Sequence, residues 1–297
     1  MSTRPRHDRV APTAPYRSSP PSKRRAAARG DRDRAMLTAR TADRFDLYER
    51  SVQTPDSEIE FIDRVYGQAH GRRPRTLRED FCGTGYLCAE WVGSRSDRTA
   101  VGLDLDQPTL DVGLRRHVRA LGDAAARVRL ERRDVLQAED VPAEVIVAFN
   151  FSYCVFKTRS VLRRYFAGVR TALDEGGVFL LDVYGGPDAQ TELVERKRMR
   201  GFTYIWDQRP YDALTGQAVR YIHFGFRDGS EMRRAFTYDW RIWSLPELRD
   251  LLEEVGFARV EVYWEGSDAR GHGNGVFRKV ARADNEQAWI AYVLAWR

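Results

Sequence analysis

The sequence predicts an α/β fold: a mostly parallel sheet with helices on both faces, followed by an antiparallel β insertion. Two observations carry this prediction. Between residues 70 and 185, short apolar runs alternate with amphipathic stretches, the pattern of successive β-α-β units. Between residues 202 and 243 this alternation stops, and three runs with period-two patterning are separated by turn-forming residues. One more helix and two strands then close the chain.

The elements of the parallel part follow from periodicity and from glycine positions. A helical region is predicted over residues 40–68, and a helix from the glycine turn through Val92. Two further helices are predicted over Gln107–Leu121 and over residues 158–173, the latter with Thr158 as N-cap and Gly176 as its stop. The predicted strands are Thr76–Asp80, Ala100–Asp104, Val128–Arg133, Glu144–Phe149 and Gly177–Tyr184.

The insertion is assigned to residues 186–243, with strands at Phe202–Tyr211, Gln217–Arg227 and Glu231–Ile242. Residues 202–243 contain 11 of the 34 aromatic residues of the chain, and in several runs these alternate onto one face. We therefore expect this sheet to cover an edge or the open end of the main sheet, as a substrate lid. A capping box at Ser244 and Glu247 starts the closing helix, Gly256 ends it, and strands follow at Arg259–Trp264 and Ala288–Ala295.

Charge is distributed unevenly along the 297 residues. Residues 1–35 contain ten Lys/Arg and three Asp/Glu, a net charge of +7, whereas the whole chain carries +6, so the rest carries −1. The segment 1–35 is also rich in Pro and Ser, and we expect a disordered basic tail followed by one domain over 36–297. The near-neutral domain does not predict nucleic-acid binding, although the tail could tether the protein to RNA or to an acidic partner.

The spacing of the cysteines and histidines restricts the kinds of protein that the chain can be. Three cysteines (Cys82, Cys88 and Cys154) and five dispersed histidines form neither a disulfide framework nor a paired metal-ligand motif, so no metal is expected. No apolar run reaches the roughly 20 residues that a membrane span needs, and the first residues do not resemble a secretory signal. These features favour a cytoplasmic protein with no membrane partner, and they leave the oligomeric state open.

The stretch Cys82-Gly83-Thr84-Gly85 links a strand to a helix and is typical of a nucleotide-binding turn. Glycines allow a tight turn and close approach of a ligand, and the following helix offers free N–H groups. Asp104 ends the next strand about 20 residues later, where a carboxylate can accept hydrogen bonds from both ribose hydroxyls. Cys88 stands where a dinucleotide site has a third glycine, and Asp134 ends the third strand, so an S-adenosylmethionine site is favoured over a dinucleotide site.

Together these motifs resemble those of class I S-adenosylmethionine-dependent methyltransferases. The resemblance covers about residues 70–185 and the closing helix and strands; its motifs are Glu79–Gly85, Gly102–Asp104, Asp134-Val135, Asn150-Phe151 and Leu173–Asp182. It implies a Rossmann-like, seven-stranded sheet whose last strand is antiparallel. One departure is that Phe81 stands at the usual first glycine, with Glu79 at the acidic position.

The resemblance also implies a role for each site residue. Asp104 would hold the ribose of S-adenosyl-L-methionine, and Asp134 and Val135 would frame its adenine. Glu79, Gly83 and Gly85 would meet the methionine end. Asn150 and Phe151, after the fourth strand, would lie near the transferred methyl group.

The methyl acceptor and any catalytic base are not fixed by the sequence. A covered aromatic pocket favours N- or O-methylation of a small molecule; an RNA- or protein-directed methyltransferase, and a cofactor-binding module without methyl transfer, are the alternatives. His223 and His272 are candidate bases, although each is more typical of a structural or exposed histidine. Lys157, next to Thr158, is interpreted as a solvated charge at the start of a helix. Cys82 and Cys154 lie near the expected pocket and are more typical of small packing residues than of nucleophiles.

Overall fold

The computed structural model describes residues 37–268 and 273–297, and the expected tail over 1–35 lies outside these residues. The helices are α1 (Arg44–Val52), α2 (Pro55–His70), α3 (Tyr86–Ser94), α4 (Gln107–Gly113), α5 (Arg159–Ala172) and α6 (Leu245–Val255). The strands are β1 (Thr76–Asp80), β2 (Thr99–Asp104), β3 (Val128–Arg132), β4 (Ala143–Ala148), β5 (Leu173–Gly185), β6 (Leu193–Arg198), β7 (Thr203–Tyr211), β8 (Gln217–Gly225), β9 (Glu231–Arg241), β10 (Arg259–Ser267), β11 (Gly273–Val280) and β12 (Trp289–Trp296).

The main sheet has the strand order β11-β10-β12-β5-β4-β1-β2-β3. Strands β1 to β5 pair in parallel, and β12 pairs antiparallel with both β5 and β10. The predicted mixed sheet is therefore confirmed, with one strand more than the seven expected. The addition is β11, which pairs with β10 at the sheet edge. Its side chains are mostly half-exposed or exposed on both faces, so it lacks the apolar alternation by which a strand is recognised in sequence.

Apolar cores cover both faces of the sheet. Helices α2 and α3 pack on one face, and α5, α6 and part of the antiparallel sheet pack on the other. Three helix boundaries differ from the sequence prediction. The region 40–68 is two helices, because Pro55 starts a new one. The helix from Gln107 continues after Gly113 as π and 3-10 turns to Arg127. The helix over 158–173 ends at Ala172, since Leu173 already begins β5.

The second sheet is antiparallel, with the order β6-β7-β8-β9. Strand β6 was not predicted because its sequence LVERKR is dominated by charges. One face of this sheet buries Phe202, Tyr204 and Trp206, as period two requires. Trp240 of β9 meets Phe151 at 6.1 Å between ring centroids, so this face lies against the residues that follow β4.

Within the described residues, no helix combines the length and the apolar character that crossing a lipid bilayer requires.

Candidate active site

The turn between β1 and α3 is built from left-handed backbone. Phe81, Gly83 and Gly85 have φ values of 59°, 55° and 61°. Phe81 adopts the conformation that a glycine would adopt without strain, so the departure from the family pattern leaves the turn geometry intact. A Cβ on Gly85 would come within 2.6 Å of a Leu130 methyl group, so a side chain there would force Leu130 to move, whereas a Cβ on Gly83 would meet nothing nearer than 4.0 Å. The turn is therefore packed behind Gly85 and open at Gly83, where a ligand can approach the backbone.

Asp104 lies beside this open turn. One carboxylate oxygen accepts a hydrogen bond from the Gly83 N–H and the other from the Asp106 N–H, both at 2.9 Å. These two bonds fix the side chain while leaving further acceptor capacity on each oxygen. The end of β2 thus presents a positioned carboxylate of the kind that binds two vicinal hydroxyls.

Asp134 and Val135 follow β3 in the neighbouring position. The Asp134 carboxylate accepts from the Leu136 N–H at 2.9 Å and so caps a single 3-10 turn, Val135–Gln137. The Arg133 N–H donates to the Asp104 carbonyl at 3.0 Å, which holds the ends of β2 and β3 together. Val135 is buried. Both residues are thus located beside Asp104.

Glu79 and Asp80 are consecutive on β1 and point to opposite faces of the sheet. Asp80 accepts two hydrogen bonds from Arg78, at 2.8 and 3.0 Å, and one from the Tyr165 hydroxyl. Glu79 accepts from the Cys88 thiol, at 3.2 Å. Burial, only partly offset by hydrogen bonds from the thiol and the backbone N–H of Cys88, raises the pKa of Glu79 to about 8. Asp80 is therefore a paired structural acid, while Glu79 retains capacity for a ligand.

Asn150 and Phe151 form a strained corner after β4. Both have left-handed φ values, 60° and 56°, which are uncommon for residues other than glycine. Asp182 of β5 holds the corner, because its two oxygens accept from the Asn150 and Phe151 N–H groups at 2.9 and 2.8 Å. The Asn150 Oδ1 is buried, and no described residue hydrogen-bonds to it. An orphaned buried acceptor at a strained corner is a feature of ligand sites.

Comparison with known proteins shows which family this part of the chain resembles. Residues 82–179, which include the glycine turn and extend to β5, match the family model of a methyltransferase domain. No curated protein matches the sequence.

Solved structures share the fold at low identity. An S-adenosylmethionine-dependent methyltransferase from Clostridium acetobutylicum is 19% identical, with a TM-score of 0.58, covering 80% of this chain and 89% of its own. The CcbJ methyltransferase from Streptomyces caelestis is 15% identical, with a TM-score of 0.60 and coverages of 82% and 91%. CalS10, an amino pentose methyltransferase of calicheamicin biosynthesis from Micromonospora echinaspora, solved with S-adenosylmethionine bound, is 15% identical, with a TM-score of 0.54 and coverages of 93% and 99%.

Residues 82–179 thus match a methyltransferase domain, and the chain shares the fold of S-adenosylmethionine-dependent methyltransferases of known structure. The resemblance inferred from the sequence motifs is thereby confirmed, and the sheet order agrees with it. The roles of the individual site residues stay predictions, although the methyltransferase domain does bring Asp104 and Asp134 to neighbouring strand ends.

The sequence did not single out Glu58, which together with Glu79 belongs to a second group of polar residues close to the glycine turn. We call it the acidic chamber, defined by the carboxyls of Glu58, Glu79 and Asp182 and the hydroxyls of Tyr48 and Tyr204. Glu58, in the first turn of α2, is 4% exposed, and burial together with the nearby charges of Glu79 and Asp182 raises its pKa to about 8. Its spacing from Ile59 and Ile62 follows an ordinary amphipathic helix, so nothing in the sequence separates it from a surface glutamate.

Two tyrosines respond to the same charges. Burial raises the pKa of Tyr48, and the charges of Asp182, Glu58 and Glu79 raise it further. Burial and the neighbouring Tyr48 raise the pKa of Tyr204. Tyr48 contacts Phe236 of β9 at 4.7 Å between ring centroids, so α1 packs against the antiparallel sheet at this residue.

Helix α1 is also bonded to the glycine turn. Glu49, 4% exposed, accepts from the Thr84 hydroxyl at 2.9 Å and lies 2.7 Å from the His117 Nε2. The ring of Tyr86 stacks on His117 at 4.8 Å. The turn conformation of the methyltransferase domain therefore depends on contacts from an element outside the residues matched by the family model.

The remaining sequence candidates do not join the site. His223 lies between Asp207, at 3.2 Å, and the Arg234 N–H, at 2.8 Å, so both ring nitrogens are engaged within the antiparallel sheet. Lys157 forms an ion pair with Asp239. His272 lies outside the described residues.

Two of the cysteines are buried structural residues. Burial raises the pKa of Cys82 and of Cys154, which disfavours the nucleophilic thiolate at both. Within the residues that the structure describes, no group of three or more His, Cys, Asp or Glu side chains is arranged to hold a metal ion.

Proposed function

We propose that this protein transfers a methyl group from S-adenosylmethionine to a nitrogen or oxygen of a small molecule. The observation that carries the proposal is the Asp104 carboxylate, fixed by the Gly83 N–H at an open glycine turn within a methyltransferase domain. Asp104 would bind the ribose and the Asp134–Val135 pair the adenine. The cofactor supplies an activated methyl group on a sulfonium with a neutral leaving group.

The pocket residues fit such a cofactor. Gly83 leaves space for the ligand, Glu79 retains acceptor capacity for the α-ammonium group, and the Asn150 Oδ1 lacks a partner among the described residues. Aromatic faces attract a sulfonium cation, and Phe151 and Tyr48 lie on this side of the site. The amino pentose methyltransferase CalS10, whose structure contains S-adenosylmethionine, shares the fold of this chain. This likeness supports the same cofactor here.

The methyltransferase domain has mainly to align the nucleophile with the methyl carbon and sulfur and to exclude water. Helix α1 and the antiparallel sheet cover the chamber beside Phe151, which supports the role of residues 186–243 as a substrate lid. An enclosed chamber favours a small acceptor over a macromolecule. Amino-sugar acceptors in a protein of the same fold are consistent with this inference.

Calorimetry with S-adenosylhomocysteine and with NAD tests the proposal. We expect micromolar binding of S-adenosylhomocysteine, no binding of NAD, and a loss of about 100-fold in affinity for Asp104→Ala, equivalent to roughly 2.7 kcal/mol. Asp123→Ala, which removes an exposed aspartate between α4 and β3, is the matched control and should bind as the wild type does. Binding of NAD alone, or an unchanged affinity in Asp104→Ala, would refute the proposal.

Turnover is tested with methyl-labelled cofactor and fractionated small-molecule extracts. Label should enter at least one low-molecular-mass fraction. Cofactor binding with no labelled fraction would instead support a binding module without methyl transfer.

A further inference from the structure

A cleft of about 290 Å³ lies where the end of β5 meets the antiparallel sheet and β12. We call it the β5 cleft. Its lining residues are Tyr184, Gly185, Asp188, Ala189, Leu193, Glu195, Gln208, Ala288 and Trp289. The ring of Tyr184 contacts the ring of Phe151, which is expected near the transferred methyl group, at 4.7 Å between centroids. The β5 cleft therefore begins one aromatic ring away from the expected position of the methyl group.

Two buried oxygen atoms in the β5 cleft lack a hydrogen-bond partner. Tyr184 is 6% exposed, and its hydroxyl makes no hydrogen bond within the described residues. Asp188 accepts a hydrogen bond from the Gln287 side chain at 2.6 Å on one carboxylate oxygen, whereas its other oxygen is buried and unbonded. Buried polar atoms are rarely left without partners in folded proteins. A bound molecule that bonds to both atoms accounts for finding two of them in one cleft.

The turn that carries Asp188 is fixed by hydrogen bonds from distant parts of the chain. The side chain of Gln208 in β7 donates to the Asp188 carbonyl at 2.8 Å. The fully buried guanidinium of Arg220 in β8 donates to the Ala189 carbonyl, also at 2.8 Å. The Asp188 N–H donates to the Gln287 carbonyl at 3.0 Å. The unbonded carboxylate oxygen is therefore held on a rigid support, as a binding group requires.

The charged side chains that line the β5 cleft are both acids. Asp188 and Glu195 form no ion pair with a described residue. Burial and the nearby charge of Asp188 raise the pKa of Glu195 to about 7, as happens when a carboxyl lacks a cationic partner. The buried base close to Tyr184 is Arg220, and its guanidinium donates to three backbone carbonyls and to neither acid. A cationic ligand would therefore meet two uncompensated carboxyls.

Trp289 gives the β5 cleft an apolar wall. A Cβ on Gly185 would lie 2.1 Å from the Trp289 ring, so the indole packs directly on the backbone of β5. On β10, Trp264 lies 4.5 Å from it between ring centroids. The β5 cleft thus combines an apolar wall with a few fixed polar groups, which is the usual composition of a small-molecule site.

Resting on the proposed function, we propose that the β5 cleft binds the methyl acceptor and that Asp188 and Glu195 hold a positively charged amino group of that molecule. The two carboxylates accept N–H bonds from the ammonium, and the Tyr184 hydroxyl bonds to a neighbouring polar atom of the same ligand. An ammonium nitrogen has no lone pair with which to attack a methyl group. The amino group therefore anchors the acceptor, while a separate nitrogen or oxygen of the molecule receives the methyl group.

Asp188→Asn and Glu195→Gln test the proposal, because each removes a charge and keeps the size of the side chain. Glu192→Gln, at an exposed position between them, is the matched control. The probes are methyl-labelled cofactor and a small-molecule extract divided on a cation exchanger at pH 7 into a retained and an unretained fraction. Each variant is assayed over a dilution series of the retained fraction, which separates the apparent KM from the maximal rate.

We expect the wild type to label the retained fraction. Each test variant should raise the apparent KM for this fraction about tenfold, through the loss of one charged hydrogen bond, with a maximal rate within about threefold of the wild type. The control should behave as the wild type does. All variants should bind S-adenosylhomocysteine with wild-type affinity, which also shows that they are folded.

The possible outcomes distinguish this proposal from the proposed function. Label confined to the unretained fraction, or an unchanged apparent KM in both test variants, would overturn the ammonium site and leave methyl transfer in place. A loss of cofactor affinity in both test variants would also overturn it, because the carboxyls would then act on the cofactor or the fold. Failure of the wild type to bind the cofactor, or to label any fraction, would refute the proposed function and this inference with it.

Discussion

The glycine turn and the acidic chamber are adjacent, yet they satisfy their polar groups in different ways. Around the turn, Asp104 accepts from two N–H groups and Asp80 accepts from Arg78 and Tyr165. In the chamber, the groups that influence the Glu58 carboxyl are two other acids and the backbone N–H of Thr54. The two regions therefore differ in how far the protein itself compensates their buried carboxyls.

The largest effect should come from breaking the completed region. Asp80→Ala leaves the fully buried Arg78 guanidinium without its carboxylate, and we expect a loss of about 3–5 kcal/mol in the free energy of unfolding. Urea denaturation measures it. Arg95→Ala, which removes the exposed ion pair with Asp97, should leave the urea midpoint unchanged. A small effect of Asp80→Ala would show that the turn does not depend on this pair.

At Asp80 a negative charge stabilises the fold, whereas in the acidic chamber a negative charge on Glu58 should lower the stability of the fold. Because the folded pKa of Glu58, about 8, lies above its ordinary value of 4.5, the neutral acid is favoured in the folded state. The associated stability is complete below pH 4.5 and is lost as pH rises through 8. Between pH 5 and pH 8.5 the free energy of unfolding of the wild type should fall by about 2–4 kcal/mol more than that of Glu58→Gln. Urea unfolding of the free protein measures this difference. Glu60→Gln should follow the wild type, and parallel curves for all three would contradict the assignment.

Helix α4 packs directly against the glycine turn, because a Cβ on Gly113 would overlap the backbone oxygen of Thr84. Gly113→Ala should therefore lower stability by about 1–3 kcal/mol despite the better helix propensity of alanine. It should also weaken S-adenosylhomocysteine binding about tenfold. Gly93→Ala in α3, where the new methyl would be in ordinary contact with Leu121, is the control for propensity alone. Equal calorimetric affinities for the two variants would show that the turn tolerates the shift.

The smallest effect is expected from the hydroxyl of Tyr204. Tyr204→Phe removes only the hydroxyl and keeps the buried ring, so stability should change by less than about 0.5 kcal/mol. Cofactor affinity should be unchanged. Tyr221→Phe on β8 is the control. A marked loss of stability in Tyr204→Phe would mean that the hydroxyl is bonded within the protein.

The parallel half was predictable because its determinants are local. Glycines at 83 and 85, Asp104 at a strand end and the Ser244–Glu247 capping box each act within a few residues, and the structure contains all of them. Strands β6 and β11 were missed because their pairing comes from a neighbouring strand and not from apolar alternation. Glu58 was missed for a related reason: its burial arises from contacts with β1, β5 and α1, which no window of sequence includes.

The position of β12 has a consequence for the order in which the protein is made. This strand is the last described element in the chain, yet it lies inside the sheet, between β5 and β10. During synthesis the apolar edge of β5 must remain without its neighbour until residues 289–296 leave the ribosome. Nascent chains that stall before this point would expose a long pairing edge, and chaperone capture should therefore peak on chains shortened just ahead of Trp289.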